Sequence, residues 1–247
     1  MPLVESEAII LRSRAWGEAD KLVSFLSRAR GRLRGIAPSA RRSRRRFGAA
    51  LEPLSHVRLW FFEREGRELV RLSQSELIEG FWDARGDYQR SLALSQVAEL
   101  AELLLPEREP SDKAFRLLLA TLEGFKGAES IWLPLAYFQL WSVRLAGWLP
   151  GLQECGRCGK SLGDEPGYFS VDRGRAFCRG CRLPGMRTLG AASRRTVVEM
   201  LEKPLPKLSP EAWDRRRAAE LGALLLDVIE YHAEHKLTTR ELLDEKA

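Results

Sequence analysis

The chain has 247 residues and a mass of 28.0 kDa, too many for one small module and enough for two compact domains. Hydrophobic residues at 45% against 32 Gly plus Pro exclude a disordered or collagen-like chain, and the most apolar stretch, residues 131–141, falls well short of the ~20 residues of a membrane span. The formal net charge is +6, and all of it falls in residues 1–80, where 16 Lys and Arg face 10 Asp and Glu; residues 81–247 hold 24 of each.

The first 80 residues read as β. Glu7 to Ser13, Leu22 to Ser27 and His56 to Phe62 are β-branched or aromatic runs bounded by turn residues. A turn at residues 63–67, with Gly66 free to take positive φ, joins the last of these to Glu68–Ser73 as a hairpin. About five short strands closed into a small barrel fit an OB-fold, and an SH3-like barrel fits nearly as well. Alternation puts Trp60 and Phe62 on one strand face and Phe61 on the other. Base stacking is one use of such a strand, and filling the barrel core is the commoner one.

Nine arginines and no acid lie between Arg28 and Arg46. An arginine-rich proteome explains the total of 32 Arg against 8 Lys but not this clustering, which points to a polyanion partner. Alternation from 28 to 34 predicts four arginines on one strand face, and residues 41–46 a flexible arm.

From about residue 81 the apolar period becomes helical. Leu92, Val97, Leu100, Ala101, Leu103 and Leu104 form one stripe, ended by Pro106 and Pro110. Ser111-Asp112 caps a second helix carrying Phe115, Leu118, Leu119, Leu122 and Phe125. Residues 131–148 give a third, apolar nearly all round and so buried at the centre of a bundle. Ser209 with Pro210 opens a long helix bearing Leu221, Leu224, Leu225, Val228 and Ile229, and Thr238 with Glu241 makes a capping box for a short last helix.

All four cysteines interrupt this helical pattern. Cys155-Gly-Arg-Cys158 and Cys178-Arg-Gly-Cys181 are two C-x2-C pairs separated by 19 residues, the spacing of a tetrahedral zinc site. Two disulfides are disfavoured in a cytoplasmic chain, which the opening residues suggest by lacking a basic and an apolar signal region. Four thiolates leave no coordination position for water, so one structural Zn2+ is expected. His232 and His235 lie three residues apart in the long helix, where a solvated helix end is the simpler reading than a second metal. The sequence holds no G-x-S-x-G, Walker or G-x-G-x-x-G motif, and the acidic pair Asp83/Asp87 reads as an ordinary exposed face. No catalytic residues are assigned and the protein is read as a non-enzyme.

Several segments together resemble one family. Glu7-Ala-Ile-Ile-Leu11, Trp16-Gly-Glu-Ala-Asp-Lys-Leu22, Gly31, the basic stretch into Arg45-Arg46-Phe47-Gly48-Ala49-Ala50-Leu51-Glu52-Pro53, residues 145–152, Tyr168-Phe169-Ser170 and the two C-x2-C pairs follow one another as in the RecO family of bacterial DNA repair and recombination proteins. The chain departs from that family at Pro38-Ser39, where a Lys-Gly pair is usual. The resemblance implies an α+β, multidomain fold: a five-stranded OB-fold barrel over residues 1–80, then a mainly helical domain over 81–247 with a four-cysteine zinc module inserted at 153–183. It implies binding of single- and double-stranded DNA, annealing of complementary strands, and action with RecR and RecF to load RecA on gaps coated by single-strand binding protein (SSB), in the cytoplasm at the nucleoid and with no membrane partner. The candidate DNA contacts are Arg14, Lys21, Arg28, Arg30, Arg32, Arg34, Arg41, Arg42, Arg44, Arg45 and Arg46; the metal ligands are Cys155, Cys158, Cys178 and Cys181. An RNA-binding OB-fold protein, a nuclease or other enzyme with magnesium-dependent turnover, and a non-catalytic protein adaptor are the alternatives that stay open.

Overall fold

A computed structural model of the chain describes residues 2–42, 46–81, 87–126, 130–209, 213 and 215–245. The chain divides into two compact units, residues 1–126 and 127–247.

The first unit is built on five strands, β1 (Leu3–Trp16), β2 (Asp20–Ser27), β3 (Gly31–Ala37), β4 (His56–Phe62) and β5 (Leu69–Glu79), closed in the order β1-β2-β3-β5-β4. This is the OB-fold arrangement expected from the sequence. β1 is long because it serves two partners: Leu3–Ile9 pair with β4, and Ala8–Trp16 pair with β2. Its register shifts between Ile10 and Arg12. A bulge there bends the strand and sharpens its twist, as a small barrel requires. Closure comes from a short parallel pairing of Arg34, Gly35 and Ile36 with Leu69, Val70 and Arg71. Gly35 permits it, since a Cβ at that position would lie 2.7 Å from a Val70 methyl and 2.9 Å from the Val70 carbonyl oxygen.

Phe25, Phe61, Val23, Leu33, Val57, Leu59, Val70 and Leu72 fill the barrel, with Phe25 and Phe61 packed edge to face at 5.6 Å. Phe61 thus takes the core reading of its strand, while Trp60 and Phe62 are half-buried on the outer face and Trp60 Nε1 donates to Glu5 at 3.0 Å. The long β3–β4 connection supplies the plug: Phe47, Ala50 and Leu51 are buried in the same core. Ala8-Ile9-Ile10-Leu11 is buried along its whole length, a run rather than an alternation because both faces of β1 are covered. Helix α1 (Tyr88–Leu104) packs against β1 from outside, followed by α2 (Asp112–Phe125). Asp87 caps α1 by accepting from Gln89 N, which gives that acid a structural role; its neighbour Asp83 lies outside the described residues. Ser111 caps α2 as its sequence predicts.

The second unit contains α3 (Trp132–Leu145), the small sheet β6 (Gly167–Ser170), β7 (Arg175–Phe177) and β8 (Arg187–Leu189) in the order β7-β6-β8, then α4 (Ala191–Glu202), α5 (Arg215–Ala233) and α6 (Thr238–Glu245). α3 is buried nearly all round and packs on α5, as its apolar sequence implies. It ends before Trp148 because Gly147 takes φ +76: Trp148 N donates to Val143 O and Gly147 N to Arg144 O, the two bonds of a glycine-terminated helix. The long helix does not run on from Ser209-Pro210: Trp213 is outside any helix and α5 is regular from Arg215, while Pro210 itself lies outside the described residues. α4 has no counterpart in the sequence reading. Its N-terminus is held by Glu220, whose carboxylate accepts from Gly190 N and the Ser193 hydroxyl. Among the described residues no helix is long and apolar enough to cross a membrane.

Truncating Phe61 to Ala should cost about 3–5 kcal/mol, read as a lower urea midpoint at unchanged slope. His56 is buried beside Phe115, and its burial lowers its pKa despite Glu7 at 3.7 Å. The fold therefore binds this proton less readily than the unfolded chain does, so the His56 contribution to stability is complete above about pH 6.5 and declines as pH falls below it. A His56→Phe variant should flatten that acid limb in equilibrium unfolding.

Candidate nucleic-acid interface and metal centre

The arginines of residues 28–46 separate into two groups. Arg28 and Arg30 lie in the β2–β3 turn rather than on a strand, and only Arg32 and Arg34 share the outer face of β3. All four meet carboxylates: Arg28 bonds Asp112 at 2.8 Å and Glu7 at 3.1 Å, Arg30 bonds Glu63 at 3.1 Å, and Arg32 and Arg34 both reach Glu107 at 3.2 Å. The predicted four-arginine strand face is therefore a turn plus a strand, with its charge matched by acids from elsewhere in the same unit.

The second group gathers where the β1–β2 turn meets the β3–β4 connection. Arg41 N donates to Ala19 O at 2.9 Å and its guanidinium to the carbonyls of Gly17 and Glu18. Arg46 donates to Pro38 O and lies over the Phe47 ring at 5.2 Å, and Arg46 O accepts from Ser75 N. The described part of the 41–46 segment is thus tied to the barrel, not a free arm; Arg44 and Arg45 lie outside the described residues. Arg14 is exposed on β1 in register with Leu22, beside Lys21 of β2. Among the described residues Arg14, Arg41 and Arg46 meet no carboxylate; Arg42 pairs with Glu18 at 3.3 Å and Lys21 with Glu52 at 3.5 Å. Both pairs involve well-exposed carboxylates, and such pairs add little and leave the cations available.

Arg71 is not among the sequence candidates. It is exposed, meets no carboxylate among the described residues, and stands opposite Ile36 in the pairing that closes the barrel, so it extends the outer face of β3. Only the closing register, set by residues 35 positions away in sequence, reveals that neighbourhood.

In the second unit the four cysteine Sγ atoms all lie within 4.8 Å of one another, with Cys158 and Cys178 3.8 Å apart. A disulfide needs about 2.05 Å, whereas a tetrahedral ion at about 2.3 Å from each sulfur puts the sulfurs about 3.8 Å apart. The geometry fits a bound ion and all four cysteines are free. Each knuckle is a tight turn: Gly159 N donates to Cys155 O, Cys155 N to Lys160 O, and Cys181 N to Cys178 O. Gly156 N donates to Ala176 O at 2.8 Å and joins the first knuckle to the strand that leads into the second.

Electrostatics favour a cation there. Burial works against ionising Cys155, but backbone hydrogen bonds from Cys178, Cys158 and Arg157 outweigh it and hold its thiol down at about 6. Cys181 is pushed up to about 12, first by its hydrogen bond to Cys178 and then by burial and the neighbouring Cys158 and Cys155. Four adjacent sulfurs cannot all ionise without a positive ion between them. Arg194 of α4 anchors the module: buried, it donates to the carbonyls of Leu152 at 2.8 Å and Gly163 at 2.7 Å, and to those of Leu162 and Glu165. His232, by contrast, stacks on Trp148 at 4.9 Å, and the cysteine set is the only metal-capable group among the described residues.

Comparison with known proteins agrees with the resemblance. The family model for Recombination protein O N terminal matches residues 1–81, and that for Recombination protein O C terminal matches residues 85–241. Proteins named DNA repair protein RecO are similar over nearly the full length of both chains. The one from Koribacter versatilis is 43% identical over 242 residues, covering 98% of each chain. Those from Anaeromyxobacter dehalogenans strain 2CP-C and Pelotomaculum thermopropionicum are 34% and 32% identical, covering 99% of this chain and 97% and 94% of their own. With an OB-fold barrel followed by a cysteine-bearing helical unit, and with both family models together spanning almost the whole sequence, the chain belongs to the RecO family of DNA repair proteins.

Proposed function

We propose that this chain is a non-catalytic recombination mediator: it binds single- and double-stranded DNA, anneals complementary strands and, with RecR and RecF, helps load RecA on gaps coated by SSB. The observation that carries the DNA part is the barrel end where Arg14, Lys21, Arg41, Arg42 and Arg46 outnumber the acids Glu18, Asp20 and Glu52, continuous in sequence with Arg44 and Arg45. Guanidinium groups bond phosphate oxygens in pairs and carry no base preference, which suits a protein that must act on any gap. Annealing follows if one molecule neutralises two strands together and so removes the repulsion that slows their pairing. Arg28, Arg30, Arg32 and Arg34 complete the proposed phosphate path along the turn and outer face of β3.

The ion we assign to Cys155, Cys158, Cys178 and Cys181 is one Zn2+, the metal that four thiolates in tetrahedral array select. Bound there, it contributes folding energy and no reaction chemistry, because the shell is closed. The module's own core is small, with Leu162, Phe169, Phe177 and Leu189 its chief buried apolar residues, so the ion and Arg194 hold it together.

Annealing of two complementary oligonucleotides, each pre-coated with the cognate SSB, tests the mediator reading. Acceleration at near-stoichiometric amounts is expected. Annealing of naked strands alone would remove the partner claim, and no annealing of either would favour the adaptor. If five to seven phosphates are engaged, single-strand affinity should fall with a log–log salt slope of about −3.5 to −5. Changing Arg44, Arg45 and Arg46 to Glu should abolish most binding while the thermal transition of the barrel persists.

Purified protein should carry one equivalent of zinc by elemental analysis. Stripping it should open residues 150–190 to protease and leave residues 1–126 protected. Stoichiometric iron instead of zinc, or unchanged protection after stripping, would overturn the structural-zinc assignment.

A further inference from the structure

β3 is hydrogen-bonded to β2 along its whole length but meets β5 only from Arg34 to Ile36, so residues 31–33 present a free strand edge on the β5 side. The segment joining α1 to α2 fills that edge. Arg108 N donates to Arg32 O at 3.0 Å, and Glu107 forms a parallel bridge with Arg32. The Arg32 guanidinium donates through Nε to Leu105 O at 2.8 Å. One carboxylate oxygen of Glu107, Oε1, lies 3.2 Å from both Arg32 Nη1 and Arg34 Nη2. Arg108 then crosses to the β4–β5 turn, where it bonds Glu63 at 2.9 Å and the carbonyls of Arg67 and Glu68.

The fit is close and specific to this segment. Arg108 takes φ +60, a conformation that an L side chain rarely adopts. Gly31 takes φ +73, and a Cβ there would lie 2.2 Å from the carbonyl oxygen of Glu109. Pro106 and Pro110 bracket the segment and offer no N–H, so it cannot extend into a longer strand. Three of its side-chain ties are ion pairs, those of Arg34 and Arg108 well exposed, and such pairs are individually weak and fade with salt; the other three are hydrogen bonds to backbone carbonyls.

We propose that residues 105–109 are a strap that occupies the protein's own phosphate site: the Glu107 carboxylate stands between Arg32 and Arg34 where a DNA backbone phosphate would bind, and the strand reaches those two arginines only when the strap lifts. This rests on the reading of the barrel as the DNA-binding unit. It makes nucleic-acid affinity a competition between an internal carboxylate and an external phosphate, with β3 as the shared partner.

The test compares Glu107→Gln with Glu109→Gln in the full chain. Both remove one negative charge from the same exposed segment, but among the described residues Glu109 makes no ion pair with an arginine. Binding of a fluorescent single-stranded oligonucleotide is read by anisotropy across a salt series, with circular dichroism melts to show that each variant is folded. Glu107→Gln should bind about threefold tighter or more at low salt, with a salt slope steeper by about 1, as one or two freed arginines engage phosphates. Glu109→Gln should change affinity less than twofold, and adding Arg32→Ala and Arg34→Ala to Glu107→Gln should erase the gain. Equal effects of the two glutamine variants, or a gain that survives loss of both arginines, would overturn the strap. If neither wild type nor any variant binds the oligonucleotide, the DNA reading itself falls, and the strap with it.

Discussion

Nine guanidinium groups within nineteen residues repel one another, and the first unit meets that repulsion unevenly. Opposing charge comes from distant parts of the first unit: Glu7 on β1, Glu63 after β4, Glu107 after α1 and Asp112 at the start of α2. These acids secure the turn and strand that begin the basic segment. At the β1–β2 turn and the β3–β4 connection the acids are fewer: Glu18 meets Arg42 and Glu52 meets Lys21, while Arg14, Arg41 and Arg46 meet no carboxylate among the described residues. The distribution of acids, more than that of arginines, therefore decides which part of the barrel displays a field to a polyanion.

The second unit solves a different difficulty. A segment of about thirty residues with three short strands buries too little apolar surface to hold itself. Here two features substitute for a core: four sulfurs arranged for one ion, and one buried guanidinium that collects four backbone carbonyls. Burial lowers the pKa of Arg194, but its guanidinium remains the donor that those carbonyls require. Glu220 plays the complementary part at the start of α4, accepting from the Gly190 N–H and the Ser193 hydroxyl. Both are charged side chains that satisfy backbone groups inside a small unit.

Much of this is legible in the sequence, for local reasons. β-branched runs, a hairpin with Gly66, Ser111 before α2 and the paired C-x2-C spacings are signals carried within a few residues, and each stands in the fold where its residues place it. Gly147 is also a local signal, a helix terminator two residues after the last regular position of α3, and a helix drawn through to Trp148 overlooks it. The rest depends on contacts between distant residues. Arg28 finds Asp112 at a separation of 84 residues, and Arg32 finds the Leu105 carbonyl at 73; neither partner is visible until the barrel has closed. The four-arginine strand face fails on a more local point, because alternation fixes faces only where a strand exists, and residues 28–30 are a turn. Arg71 and Arg194 look like ordinary exposed arginines in sequence and differ only by what the fold brings beside them.

The uninterrupted Ala8-Ile9-Ile10-Leu11 run bears on how portable the barrel is. Ile9, Leu11 and Leu26 are fully buried yet lie outside the set that fills the barrel interior, with α1 packed against β1. The change from strand to helix near residue 81 marks where one kind of secondary structure gives way to another, but not where a free-standing piece of protein ends. A fragment cut there would carry a bare aliphatic flank into solvent and tend to self-associate. In this chain the compact unit that holds the barrel continues through α2 to Lys126, so a graft of the barrel that keeps its flank covered would carry two helices with it.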